Sequence, residues 1–234
     1  MKKLEARGRL VNPFKLFTKA ARRAMDDMDS YVQAVPGPVR SSVFVADATA
    51  IRRHLRQQVD AVITSPPYHS AVDYYRRHQL EMFWLGLTTT QEERLGLLDR
   101  YLGRPKVPKK HAFVEGILRG PLARNLHASM TAASQERADA FKHYCVGMDR
   151  VFSQLGSVLR PGAPALFVVG HSQWNGTTIN TSDLFSELAA PDFTLSEVLS
   201  YPVKNRYMSY SRHNGASIDQ EYVLVFRRID GSSG

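Results

Sequence analysis

The sequence predicts an α/β fold with a mostly parallel sheet and helices on both of its faces. Short apolar runs such as "DAVITS", "PALFVVG" and "EYVLVFRR" alternate with longer segments of helical periodicity. The runs are almost continuously apolar, which is typical of strands that are buried on both faces. In sheets of this kind ligands bind beyond the carboxyl ends of the strands, so the residues at those ends are the candidates for function.

The length and composition of the chain predict one domain and exclude a membrane span. The chain has 234 residues, of which 43% are hydrophobic, and can bury one sizeable core, so we expect one domain over residues 1–234. No stretch approaches the roughly 18 apolar residues of a membrane span, and "MKKLEARGRL" lacks the apolar core of a signal peptide. We therefore expect a cytoplasmic protein without a membrane partner. The single cysteine, Cys145, excludes an intrachain disulfide and favours a buried thiol.

The balance of charge favours a polyanionic partner. Lys and Arg number 31 against 22 Asp and Glu, which gives a net charge of +9. Such a charge is typical of nucleic-acid-binding proteins, but it also occurs on ordinary solvated surfaces. The histidines have no metal-ligand spacing, so no metal site is predicted.

The first part of the chain predicts helices and strands in alternation. Asn12 followed by Pro13 has the pattern of a helix N-cap and first turn, which predicts a helix over residues 13–33. "VPGPV" ends that helix, and "SSVFVAD" predicts a buried strand that ends at Asp47. After the helical segment "TAIRRHLRQQ", the strand "DAVITS" ends at Ser65.

The segment that follows predicts a helix over residues 71–87 and then a less regular insertion. The insertion, residues 88–132, contains the basic run "GRPKVPKKH" and several glycines, and we expect it to lie over the functional face as a candidate target-recognition segment. The large apolar side chains of the helix are expected in the core. They are Tyr74, Leu80, Phe83, Trp84 and Leu87.

The last part of the chain completes the alternation of helices and strands. It predicts helices over 134–159 and 181–190, and strands over 164–170, 193–201 and 221–228. Asp47, Ser65 and Gly170 each lie at the carboxyl end of a predicted strand. We therefore expect these three residues at one functional edge of the sheet.

Ser65-Pro66-Pro67-Tyr68 is the most unusual motif in the chain. Two consecutive prolines fix φ and remove two backbone donors, so the strand must end there and the turn that follows is stiff. By itself, the motif is also consistent with a rigid turn between a strand and a helix.

With its surroundings the motif resembles a known family. "TSPPY" followed by "AVDYYRRHQLEMFWLG", then "LRPGAPALFVVGHS" and "KNRYMSYSRHNGASIDQEYVLVFRR", is similar to the DNA amino-methyltransferases. These enzymes use S-adenosylmethionine to methylate N4 of cytosine or N6 of adenine. The resemblance covers most of residues 8–228, and implies a Rossmann-like class I methyltransferase fold with DNA as a partner.

The resemblance assigns catalytic roles to the motif. The Ser65 side chain and the Pro66 carbonyl would accept hydrogen bonds from the exocyclic amine, which favours its pyramidal geometry and its developing positive charge. Pro67 would help to hold that carbonyl, and Tyr68 would stack on a flipped base. Serine in place of the aspartate of many relatives favours N4 of cytosine over N6 of adenine.

The resemblance also implies binding residues. Asp47, with Ala48, Asn12 and Ser65, is expected at the cofactor, and Asp47 would accept from its adenine amine. Asp47 also has the pattern of a helix N-cap, and both roles are compatible. Residues 204–212, a basic and aromatic segment near the last strand, are a candidate nucleic-acid contact, although an ordinary solvated loop is the alternative. The residues expected at nucleic acid are Tyr68, His69, Lys204, Arg206, Tyr207 and Arg212.

One family feature is absent from the sequence. The glycine-rich cofactor motif of the type D-P-F-x-G-x-G-T-T does not occur, which predicts that the first strand of the sheet is missing. We expect a partner polypeptide to carry this motif, as in a split enzyme. The alternatives are an inactive remnant with a binding or regulatory role, a wrongly assigned start, and a pocket completed in another way. An RNA amino-methyltransferase is the nearest enzymatic alternative.

Overall fold

The structure is a computed structural model that describes residues 12–35, 37–69, 78–104, 106–107, 112–175, 177–203 and 219–230. The chain divides into two compact units, Met1–Val45 and Ala46–Gly234. Among the described residues, no helix is long and apolar enough to cross a membrane.

The described part of the first unit forms one long helix, α1, over Pro13–Ala34. The Asn12 side chain accepts a hydrogen bond from the Lys15 backbone N–H at 3.1 Å, and Pro13 occupies the first turn, where a missing N–H costs nothing. The predicted helix and its cap are therefore confirmed. No side chain of α1 is buried, and Phe14, Phe17 and Tyr31 are all exposed.

The predicted strand that ends at Asp47 does not form. Residues 38–47 have no regular secondary structure, and Val43 and Val45 are 95% and 102% exposed. A strand needs a neighbour to complete its hydrogen-bond ladder, however strongly its residues favour the extended backbone. The four strands of the larger sheet pair only with one another, so this prediction of a strand is wrong for the described chain.

The second unit begins with a 3₁₀-helix and the first strand. The 3₁₀-helix Ala48–Arg53 replaces the longer predicted helix, and β1 covers Val62–Thr64. Among the described residues, five α-helices follow, with a further 3₁₀ turn at Leu98–Arg100 between the second and third of them. They are α2 (Gln79–Trp84), α3 (Gln91–Gly96), α4 (Ala112–Glu115), α5 (Pro121–Ala133) and α6 (Gln135–Val158).

The last part of the unit contains the remaining strands, and its predicted elements are confirmed within two residues at each end. The sequence did not predict the short hairpin of β3 and β4. The elements are β2 (Pro164–Val169), β3 (Ser172–Trp174), β4 (Thr177–Ile179), α7 (Thr181–Ala189), β5 (Phe193–Pro202) and β6 (Gln220–Arg228).

The main sheet has the strand order β1-β2-β6-β5. β1 is parallel to β2, whereas β6 is antiparallel to both β2 and β5. Three of the four strands therefore run in one direction, which agrees with the prediction of a mostly parallel sheet in an α/β fold. β1 forms one end of the sheet, and β5 forms the other.

The core lies between α6, α7 and one face of the sheet. The Phe152 ring of α6 lies 5.0 Å from the Phe167 ring of β2 and 5.8 Å from the Phe226 ring of β6, measured between ring centroids. It also packs edge-to-face on Phe185 of α7. Cys145 is fully buried in the same cluster, as the sequence predicted. Aromatic rings thus join the two helices to the sheet.

The opposite face of the sheet is less buried than the face that carries the core. Leu166 and Val168 of β2 and Val223 and Val225 of β6 are only half-buried, and none of them joins the core cluster. Ile63 of β1, which pairs with Leu166, is 77% exposed. Among the described residues, helices therefore form a core on one face of the sheet, and the prediction of helices on both faces is wrong for this part of the chain.

The large apolar side chains in and after α2 are exposed, although the sequence predicted them in the core. Leu80, Phe83 and Trp84 are 80%, 64% and 89% exposed, and Leu87 is exposed as well. Leu80, Phe83 and Trp84, together with residues of α3, line a groove of about 840 Å³. No described element covers them, so the prediction that they belong to the core is wrong; Tyr74 of the same prediction lies outside the described residues.

Candidate active site

Ser65 follows directly on β1 and lies beside the carboxyl end of β2. Its hydroxyl donates a hydrogen bond to the Val168 carbonyl at 3.2 Å, while the residue remains exposed. A hydroxyl has one proton and two lone pairs, so a proton held by Val168 leaves the oxygen able to accept. The geometry therefore prepares Ser65 as a hydrogen-bond acceptor at the edge of the sheet.

The two prolines link Ser65 to the core. Pro66 is buried and Pro67 is half-buried. The Tyr144 hydroxyl, which comes from the middle of α6, donates a hydrogen bond to the Pro67 carbonyl at 3.0 Å. Tyr144 is 1% exposed, so this bond forms away from competing solvent.

Tyr68 lies inside the protein. Its side chain is 6% exposed, and its hydroxyl donates to Glu221 Oε1 at 3.1 Å. The other carboxylate oxygen of Glu221 accepts from Tyr201 at 2.5 Å, and this hydrogen bond raises the pKa of Tyr201. In this conformation the Tyr68 ring cannot stack on a base, because Glu221 and the core hold it inward. Stacking would require the ring to leave this position.

His69, which the sequence places at nucleic acid, is buried too. Its ring packs edge-on against Phe141 at 5.3 Å and lies 5.4 Å from Tyr144, measured between centroids. Burial, and then the positive charge of Arg137, lower its pKa to about 4. A neutral, buried imidazole does not present a charge to phosphate, so the predicted contact is not available in this conformation.

Asp47 caps the 3₁₀-helix that begins at Ala48. One carboxylate oxygen accepts from both the backbone N–H and the hydroxyl of Thr49, each at 2.8 Å. Asp47 is exposed and follows no strand, so it does not lie at a strand end as predicted. Ser65 and Gly170, by contrast, follow the adjacent parallel strands β1 and β2 at the same edge.

The described residues offer binding groups for only part of S-adenosylmethionine. Asp47 offers an exposed carboxylate that could accept from an adenine amine. In the described ranges, however, no strand leads through a glycine-rich turn into a helix, which is the feature that would approach the methionine part of the cofactor. Asn12 belongs to the first unit and caps α1.

Several predicted contacts cannot be placed. Lys204, Arg206, Tyr207 and Arg212 lie outside the described residues. Sequence reasoning, in turn, missed Tyr144 and Glu221, because no motif marks them. Neither residue stands out locally, because α6 and β6 both contain several other polar residues.

Gly103 brings the insertion against the motif. Its φ is +80°, and a Cβ atom at this position would lie 3.0 Å from the Tyr68 carbonyl oxygen. A side chain here would be strained by the left-handed backbone and would also press on the peptide group between Tyr68 and His69. Gly103 therefore lies beside the motif, and the role of residues 88–132 in target recognition stays a prediction.

Replacement of Gly103 by alanine is expected to lower the free energy of unfolding by about 2 kcal/mol, from backbone strain together with the contact on Tyr68. Chemical denaturation measures the change. The matched control is Gly86→Ala, since Gly86 has a φ of +66° and no neighbouring atom within 4 Å of the added Cβ. Equal losses in the two variants would show that the contact with Tyr68 contributes nothing.

A sequence relative of the chain is a methyltransferase. No family model matches the chain. Over 179 residues it is 25% identical to the Type II methyltransferase M.BsoBI of Geobacillus stearothermophilus. The match covers 67% of this chain and 35% of that protein, so the chain spans about a third of the length of the curated relative it matches.

Two solved structures align with the chain at low TM-scores. One, from Thermus thermophilus and provisionally described as a DNA modification methylase, is 15% identical with a TM-score of 0.40, and the alignment covers 81% of this chain and 55% of that one. The other is a mutant 16S rRNA adenine methyltransferase from Catenulisporales acidiphilia with cosubstrate SAM. It is 15% identical with a TM-score of 0.29, over 83% of this chain and 96% of that one. Neither similarity assigns a substrate.

Proposed function

We propose that this chain is the catalytic part of an S-adenosylmethionine-dependent DNA methyltransferase that acts on the exocyclic amine of a flipped base. The observation that carries the proposal is Ser65, exposed at the carboxyl end of β1 with its hydroxyl proton directed to Val168. The similarity to M.BsoBI supports a methyltransferase, and the net charge of +9 is compatible with DNA.

The residues of this chain would act on the amine and its protons. The Ser65 oxygen and the Pro66 carbonyl would accept from the two N–H groups and stabilise the positive charge that develops on nitrogen. Because a neutral hydroxyl is a weak base, the released proton would pass to water. S-adenosylmethionine supplies an electrophilic methyl group when bound. We favour N4 of cytosine, with N6 of adenine as the alternative.

We further propose that a separate polypeptide carries the glycine-rich cofactor motif. β1 ends the described sheet, so one of its edges has no partner strand within that sheet. Ile63 on β1 is 77% exposed. An additional strand beside β1 would supply backbone partners and cover apolar surface, as sheet edges require.

Calorimetric titration of S-adenosylmethionine into the folded chain tests the need for a partner. We expect no binding by the chain alone, because the described residues match only part of the cofactor. Micromolar binding by the pure chain would contradict the split arrangement.

Transfer of a labelled methyl group tests the reaction itself. The chain, with any polypeptide that co-purifies, is incubated with duplex DNA or with RNA, and the modified nucleosides are separated by chromatography. N4-methylcytosine or N6-methyladenine from DNA supports the proposal, whereas methylation at a ring carbon would contradict it. Product from RNA alone would identify an RNA methyltransferase, and no product from either would favour an inactive binding or regulatory protein.

A further inference from the structure

We infer that Tyr144 is a positioning residue that fixes the direction of the Pro66 carbonyl. The inference rests on the proposed function, because that carbonyl is the second acceptor for the amine. Tyr144 lies on α6, 77 residues along the chain from Pro67, and its hydroxyl donates to the Pro67 carbonyl at 3.0 Å.

The carbonyl of Pro66 lies between two attachments to the rest of the protein. On one side, the Ser65 hydroxyl donates a hydrogen bond to the Val168 carbonyl of β2 at 3.2 Å. On the other side, the Pro67 carbonyl accepts a hydrogen bond from the Tyr144 hydroxyl. Each proline ring holds φ near its fixed value, so ψ is the main backbone freedom that remains to either proline. With both ends held, the intervening peptide plane has little room to rotate.

Tyr144 is itself well held. It occupies the middle of a helix of 24 residues, Gln135–Val158, and is 1% exposed. Its ring stacks on Phe185 of α7 at a centroid distance of 6.4 Å and lies close to His69. A hydroxyl carried by a rigid, buried ring can fix the position of its partner more accurately than a mobile surface group.

A fixed Pro66 carbonyl would favour the proposed reaction. A stabilising acceptor has its largest effect when it is already placed where charge develops, because no reorganisation is then needed during the reaction. A carbonyl that rotates away from the amine would leave Ser65 as the remaining acceptor. Loss of the Tyr144 hydroxyl should therefore slow the chemical step more than it weakens binding of DNA.

The test is Tyr144→Phe in the full chain, assayed with any co-purifying polypeptide. Phenylalanine keeps the ring and its packing, and circular dichroism checks that the variant folds. We expect kcat for methyl transfer to fall about tenfold, which corresponds to about 1.4 kcal/mol, with KM for DNA unchanged within about twofold. The matched control is Tyr222→Phe, which removes a hydroxyl bonded to exposed Gln220 at 3.1 Å.

Hydrogen–deuterium exchange of the peptide that spans residues 62–69 gives a second readout that does not depend on activity. We expect faster exchange at Tyr68 and His69 in Tyr144→Phe but not in Tyr222→Phe. Unchanged exchange would overturn the inference, as would a normal kcat or an effect confined to KM in an active enzyme. If the unsubstituted protein methylates neither DNA nor RNA, the proposed function fails, while the exchange result still decides whether Tyr144 holds the motif.

Discussion

Replacement of Ser65 by alanine is expected to lower kcat for methyl transfer by about 10²- to 10³-fold, the usual cost of removing one preorganised hydrogen-bonding group from an active site. The side chain is exposed and contributes one hydrogen bond, to Val168, so the variant should fold normally. KM for DNA should change little, because the hydroxyl acts mainly on the charge that develops during transfer. Steady-state kinetics with labelled methyl donor measure both constants.

Ser157→Ala is the control for this experiment. Ser157 is an exposed residue of α6 whose hydroxyl donates to the Gln154 carbonyl at 2.7 Å, so the same atom is removed far along the chain from the motif. We expect the control to retain full activity. A Ser65→Ala enzyme as active as this control would exclude Ser65 as an acceptor for the amine. The motif would then be a rigid turn.

The Phe152→Ala variant is expected to lose about 3–5 kcal/mol of unfolding free energy, as is usual when a buried aromatic ring is deleted. Phe152 is 1% exposed and packs on four other phenylalanines, among them Phe167 of β2 and Phe185 of α7. Its removal would leave a cavity where the two helices meet the sheet. Urea denaturation followed by circular dichroism measures the loss.

Phe83→Ala deletes the same ring from α2, where it is 64% exposed. We expect a change within about 0.5 kcal/mol, because little apolar area returns to water. A loss comparable to that of Phe152→Ala would mean that Phe83 is buried in the folded protein. The aromatic side chains of α2 would then belong to a core, as the sequence alone predicted.

The sequence predicted correctly those helices and strands whose formation depends on residues close to one another in the chain. Asn12 and Pro13 predicted the start of α1, because a cap and a proline act within one turn. The apolar runs of β2 and β6 predicted strands that form within two residues of their expected bounds. The same method failed at Val43 and Val45, because a strand also requires a neighbour that the local sequence does not specify.

The sequence by itself determined the α/β class, the order of most elements and the position of Ser65-Pro66-Pro67-Tyr68 at the end of a strand, since proline chemistry and apolar periodicity act over short distances. Only the tertiary structure decided how that motif is held. The bonds from Ser65 to Val168, from Tyr144 to Pro67 and from Tyr68 to Glu221 join residues 103, 77 and 153 positions apart. Such contacts depend on how the strands and α6 pack, so no local pattern could have predicted them.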